Sequence, residues 1–240
     1  MFDERELGCR QIEDTFAHAV SISHVWAREE SNLGPATYQI AVLPLNYAPK
    51  LCYYSKIMTK AQKLEFLWAA IRKAYPNRTL VFNDGDPDAK IMIIGEAPGQ
   101  DEERQGKPFV GRAGKLLTAA LETLGWQRSD FYITNIVKYR PADPITGSNR
   151  TPTPEEIAKF RPAIEKEIAA VDPALIVVLG KVAMTGMGIE GSMGANRGQI
   201  REKLGRKILI TYHPAAILRN INWEPQFRED LAKISNLILF

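Results

Sequence analysis

From about Lys60 onward, short apolar runs alternate with stretches in which apolar residues recur every three or four positions. Ile91–Gly95, Phe131–Val137, Leu175–Gly180 and Lys207–Thr211 are short, mostly apolar and bounded by turn residues, the pattern of buried strands. Helical spacing separates them over Gly114–Leu124, Pro154–Val171 and Lys181–Met187, and an amphipathic helix is predicted over Pro225–Leu239. Ahead of the first strand, Leu64, Leu67, Trp68 and Ile71 predict a helix over Lys60–Ala74, which Pro76-Asn77 ends. Such alternation implies βαβ crossovers. The expected class is α/β: a three-layer α/β/α sandwich with a central, largely parallel four-stranded sheet. The first sixty residues read differently, with a helix predicted over Arg5–Val20 and then an irregular region holding Pro35, Pro44 and Pro49 around the strand-like run Tyr38–Leu45. We read 1–60 as an N-terminal extension or cap and 61–240 as the α/β/α domain.

Composition narrows this picture only a little. A chain of 240 residues, 45% hydrophobic and 25% charged, is long enough to bury a sizeable core. A formal net charge of +3 permits a polyanionic partner without requiring one, because patch geometry decides such binding. Two cysteines, Cys9 and Cys52, form no framework or ligand set, and His18, His24 and His213 are scattered, so no metal is expected. The polar start Met1–Glu6 lacks a leader pattern and no apolar run spans a bilayer, so a cytoplasmic monomer without membrane contact is expected.

The densest candidate chemistry lies between Gly95 and Gly114, just after the first strand of the alternating region. Gly95 and Gly99 flank Pro98, allowing a sharp turn and close approach of backbone to a ligand. Glu96, Asp101, Glu102 and Glu103 crowd the same turn, and so many like charges disfavour mutual ionisation. A solvated acidic connection is the plainer reading of these residues taken alone. A long loop, Tyr139–Thr153, is Pro- and Gly-rich and has Lys138, Arg140 and Arg150 nearby; a basic loop of this kind suits a phosphate backbone, and suits plain solvent as well.

Four segments together carry a resemblance: Gly95-Glu96-Ala97-Pro98-Gly99, Gly106-Lys107-Pro108-Phe109-Val110-Gly111, Ile133-Thr134-Asn135-Ile136-Val137-Lys138, and His213-Pro214-Ala215-Ala216-Ile217-Leu218-Arg219. In order and spacing they resemble the uracil-DNA glycosylase superfamily, and within it the fourth, thermostable bacterial and archaeal family. The resemblance implies an enzyme that flips a pyrimidine out of DNA and hydrolyses its N-glycosidic bond without cutting the strand. By that likeness Phe109 stacks on the flipped base, Asn135 reads its edge, and His213 stabilises the charge developing on it. An amide turned over suits cytosine equally well. Glu96 ranks first for the water and the sugar, with Asp101 and Glu102 behind it; Ala97 stands where another branch has an aspartate, and Glu102 lies near the base. Gly99 replaces a tyrosine of another branch, leaving room beside the five-position. Ile217 or Leu218 fills the gap in the duplex, and Pro98, Arg140, Arg197, Pro214 and Arg219 meet the DNA.

The likeness also implies a four-iron cluster on four cysteines, and here the chain departs. Tyr139 and Phe160 stand at two of the expected positions, and no cysteine occurs in the segment 71–80 where the earlier pair belongs. The cluster is therefore expected to be absent, with aromatic packing in its space. Two other readings stay open from the sequence: excision of a modified pyrimidine with a bulky five-substituent, as an antiphage defence enzyme, and a catalytically weak module binding DNA or a protein partner.

Overall fold

The computed structural model describes residues 58–238. The helix expected over Arg5–Val20, the strand-like Tyr38–Leu45, and Cys9, Cys52, His18 and His24 lie outside the described residues, as does Leu239.

Every residue of three strands, β2 (Ile91–Gly95), β3 (Phe131–Asn135) and β4 (Leu175–Leu179), is buried, as both faces of a covered parallel sheet require. With β6 (Arg206–Thr211) they form the parallel core, in the order β3-β2-β4-β6, with Ile91 level with Phe131 and Leu175, and Leu175 level with Lys207. The sheet has six strands, not four, because β1 (Asn83–Gly85) joins antiparallel outside β3 and β5 (Ile200–Lys203) antiparallel outside β6. Both added strands lie at sheet edges, β1 partly exposed and β5 mostly so, and neither carries the apolar run that marks the central four.

Alternation along the strands divides the core in two. Met92, Ile94, Tyr132, Ile176, Val178, Ile208 and Ile210 face one layer, which holds α1 (Lys60–Ala74), α4 (Pro154–Val171) and α5 (Gly180–Gly186). Ile91, Ile93, Phe131, Ile133, Leu175, Val177 and Leu209 face the other, with α3 (Arg112–Glu122), α7 (Pro214–Arg219) and α8 (Glu224–Ile238). The expected three layers follow from this split. Leu64, Trp68 and Ile71 are the buried stripe of α1. At the start of α4, Thr153 and Glu156 form a capping box and Pro154 fills the first turn, where its missing N–H is harmless.

Two predicted ends move. The strand expected to reach Val137 stops at Asn135, where the backbone turns so that the N–H groups of Ile136 and Val137 donate to the carbonyls of Gly95 and Glu96. Gly180 leaves β4 and opens α5. The long loop is folded on itself: Arg140 Nε donates to Asn149 Oδ1 at 2.6 Å, its Nη2 to the Gly147 carbonyl, and Ala142 bridges to Asn149. Among the described residues, no helix is long and apolar enough to cross a membrane.

Candidate active site

The carboxyl ends of parallel strands are where an α/β sheet leaves room for a ligand. Gly95 ends β2 and pairs in register with Asn135, which ends β3. A side chain on Gly95 would displace both neighbours, because its Cβ would lie 2.3 Å from Asn135 Oδ1 and 2.4 Å from Phe109 Cζ. Only glycine lets those two side chains close over the strand end. His213 follows β6, and its ring centroid lies 5.6 Å from that of Phe109. On its other side sits Gly180, at φ +86°, where a Cβ would approach His213 Cβ to 2.8 Å. Two glycines thus make space for three candidate side chains, Asn135, Phe109 and His213.

The protonation of His213 can be read from its partner. Nδ1 accepts from the Ala215 N–H at 3.2 Å, capping α7, so the proton of the neutral ring sits on Nε2. Poor solvation of the imidazole, and secondarily the charge of Arg219, push its pKa down to about 4. At neutral pH it is therefore an uncharged donor of one N–H. Asn135 is 2% exposed, yet its side-chain amide has no hydrogen-bond partner among the described residues, which leaves a donor and an acceptor for a ligand.

The crowded carboxylates separate by their partners. Asp101 accepts from Arg104 at 3.0 Å on the surface. Both oxygens of Glu102 accept from backbone, Oε2 from Gly99 N–H at 3.1 Å and Oε1 from Gly111 N–H at 3.0 Å, so it closes the segment between them and caps α2 (Gln100–Gln105). A Cβ on Gly99 would lie 2.8 Å from Glu102 Oε2 and push that carboxylate off its contacts. Glu103 pairs with Arg140 at 3.3 Å. Glu96 alone of the four has neither hydrogen bond nor ion pair for its carboxylate among the described residues. Burial raises its pKa and the Arg219 charge partly offsets that. Half-buried Ala97 packs against the core beside it.

The residues expected at DNA divide sharply. Leu218 is 42% exposed and Arg219 is exposed, whereas Ile217 is fully buried in the core, so of the two wedge candidates only Leu218 projects. Pro98 and Pro214 are buried by the turns they shape and present little surface to a phosphate. Arg140 is turned inward on Glu103, Asn149 and the Gly147 carbonyl. Arg197 forks onto the buried Asp230, donating from Nε at 3.1 Å and from Nη2 at 2.9 Å. Their guanidinium groups hold the fold together at these contacts.

Sequence reasoning passed over Lys138 as a site-supporting residue. It is fully buried, and its ammonium donates to the Asn135 carbonyl at 2.7 Å, Thr134 Oγ1 at 2.6 Å and Glu167 Oε2 at 2.5 Å, while Tyr132 donates to the other oxygen of Glu167 at 2.8 Å. A lysine directly after an apolar strand was the available signal.

Comparison with known proteins decides the family. The family described as "Uracil DNA glycosylase superfamily" matches residues 82–234. The chain belongs to the uracil-DNA glycosylase superfamily. It is 37% identical over 191 residues to a type-4 uracil-DNA glycosylase of Thermotoga maritima, covering 75% of this chain and 97% of that one. Type-4 enzymes of Pyrobaculum aerophilum and Archaeoglobus fulgidus are 39% and 38% identical, covering 65% and 64% of this chain and 81% and 79% of theirs.

Within this superfamily member, the corner where the resemblance puts a four-iron cluster is lined by other chemistry. Tyr75 stacks on Phe160 with centroids 5.0 Å apart, Tyr139 packs edge-on to Phe160 at 5.6 Å, and the Arg78 guanidinium lies 4.7 Å over the Tyr139 ring. Tyr139 also donates to Glu156 at 2.9 Å. These side chains offer iron no thiolate, and the space is packed. The described residues of this corner do not fit the cluster.

Proposed function

We propose that this chain removes uracil from DNA by hydrolysing the N-glycosidic bond. The observation that carries the reading is the convergence of an unpartnered Asn135 amide, the Phe109 ring, a neutral His213 and an unpartnered Glu96 at the carboxyl ends of β2, β3 and β6. The names of the type-4 relatives support uracil as the base.

In this reading the nucleotide leaves the stack, its base lies against Phe109, and Asn135 donates to a ring carbonyl and accepts from the ring N–H. The bond from the base nitrogen to the sugar breaks with its electron pair going to the base, and the His213 Nε2–H stabilises the resulting oxyanion. The sugar, now positive, is met by water whose proton passes toward the Glu96 carboxylate, leaving a hydroxyl on the abasic sugar. Leu218 occupies the vacated stack and Arg219, beside both His213 and Glu96, meets a flanking phosphate. We infer further that the enzyme works without an iron–sulfur cluster.

The test is incubation of the full chain with duplexes holding uracil opposite guanine, uracil opposite adenine, or a five-substituted cytosine, followed by alkaline cleavage at abasic sites. Cleavage of both uracil duplexes and not of the third is expected. A folded preparation that releases no uracil overturns the reading.

A further inference from the structure

Phe109 has φ +54°, a left-handed backbone that a bulky aromatic seldom adopts. Strain of this kind persists only where neighbours over-determine it, and two features do so. Gly114 admits the Phe109 carbonyl so closely that a Cβ there would lie 1.9 Å from it. The second feature is Arg128, in the 3₁₀ turn Arg128–Asp130 that leads into β3. Its Nη1 donates to the Phe109 carbonyl at 3.1 Å and its Nη2 to the Pro108 carbonyl at 2.5 Å. Its Nε donates to Asp84 Oδ2 at 2.6 Å, and Lys107 lies 3.7 Å from the other oxygen of Asp84.

Each edge of the guanidinium therefore has an assigned partner. Two are consecutive carbonyls of the segment that presents the ring, and the third is a carboxylate on β1, the edge strand of the rigid sheet. A planar fork fixes distance and angle together, which a point charge cannot do. The Arg128 donors go to Asp84 and to the Phe109 and Pro108 carbonyls, and none to the Asn135, His213 or Glu96 side chains. On the reading that Phe109 stacks on the flipped base, we propose that Arg128, oriented by Asp84, is the positioning residue that holds Phe109 in its strained, base-ready conformation.

A double-mutant cycle tests this. Under single-turnover conditions on a uracil-containing duplex, Arg128→Ala lowers kcat/KM by about tenfold or more, the size expected for residues coupled through one contact. In a Phe109→Ala background the same change costs less than about twofold, because the group it positions is already gone. Losses that multiply overturn the proposal. Arg128→Lys keeps the charge and recovers only part of the loss; full recovery also overturns it, and this variant carries the cycle if Arg128→Ala does not fold. A fluorine label on the Phe109 ring supplies a readout free of turnover, its resonance shifting and broadening in Arg128→Lys. An unchanged resonance overturns the brace even if the wild-type chain releases no uracil, an outcome that would by itself sink only the glycosylase reading.

Discussion

Burial lifts the Glu96 carboxyl above the ordinary glutamate range, and the Arg219 guanidinium pulls it partly back. A carboxylate that accepts a proton must be ionised, so turnover is lost as pH falls through this raised value. His213 does not set that limb, since it stays neutral until pH falls to about 4. Glu96→Gln is thus expected to flatten the acidic limb of the single-turnover rate and to slow the reaction roughly 10²-fold or more. Arg219→Ala should move the limb to higher pH, because it removes the charge that lowers Glu96. A limb unmoved by either change would exclude Glu96 as the titrating base. The family resemblance put Glu96 ahead of Asp101 and Glu102; what it left open was where the other crowded acids turn. Asp101 finds Arg104 one helical turn away, but Glu102 finds the Gly111 amide and Glu103 finds Arg140, partners that only the folded backbone brings near.

At the scale of elements, β3 delivers Asn135 on top of a buried ion pair. Lys138 and Glu167 have no exposed side-chain surface, and the three hydrogens of the ammonium are matched by Glu167, Thr134 and the Asn135 carbonyl. Breaking such a pair leaves an uncompensated buried charge, so Lys138→Met is expected to cost about 3–5 kcal/mol in urea unfolding. Adding Glu167→Gln should restore most of it, since an amide oxygen still accepts from Tyr132 and the stranded charge is gone. A single replacement that costs under about 1 kcal/mol would mean the pair does not hold its charges in the fold. The strands themselves were legible because sheets covered on both faces need unbroken apolar runs, as in Ile91–Gly95 and Leu175–Leu179. Asn83–Gly85 and Ile200–Lys203 were not, since an edge strand takes its identity from the neighbour that pairs its backbone. Helix α4 was legible in spite of Pro162, because Thr153, Pro154 and Glu156 mark its start and the buried stripe Ile157, Phe160, Ile164 and Ile168 runs through the proline.

Across the whole molecule, the turn after α1, the exit of β3 and the first turns of α4 meet at Tyr75, Tyr139 and Phe160. These segments are far apart in sequence, and a metal cluster would cross-link them through thiolates. Here the same three-way junction is made by ring contacts, a guanidinium over Tyr139, and the chain Arg150–Glu156–Tyr139, in which Arg150 holds the Glu156 carboxyl at about 2 and burial lifts the Tyr139 phenol to about 12. If packing replaces the cluster, stability should respond to ring volume and not to iron. Purified protein is then expected to lack stoichiometric iron and broad visible absorbance, and chelator should leave its melting temperature unchanged. Phe160→Ala, which empties a site 1% exposed, should cost roughly 3–5 kcal/mol in denaturant unfolding. Stoichiometric iron, or a melting temperature that falls with chelation, would assign the junction to a metal. A Phe160→Ala cost below about 1 kcal/mol would show that the rings do not hold it.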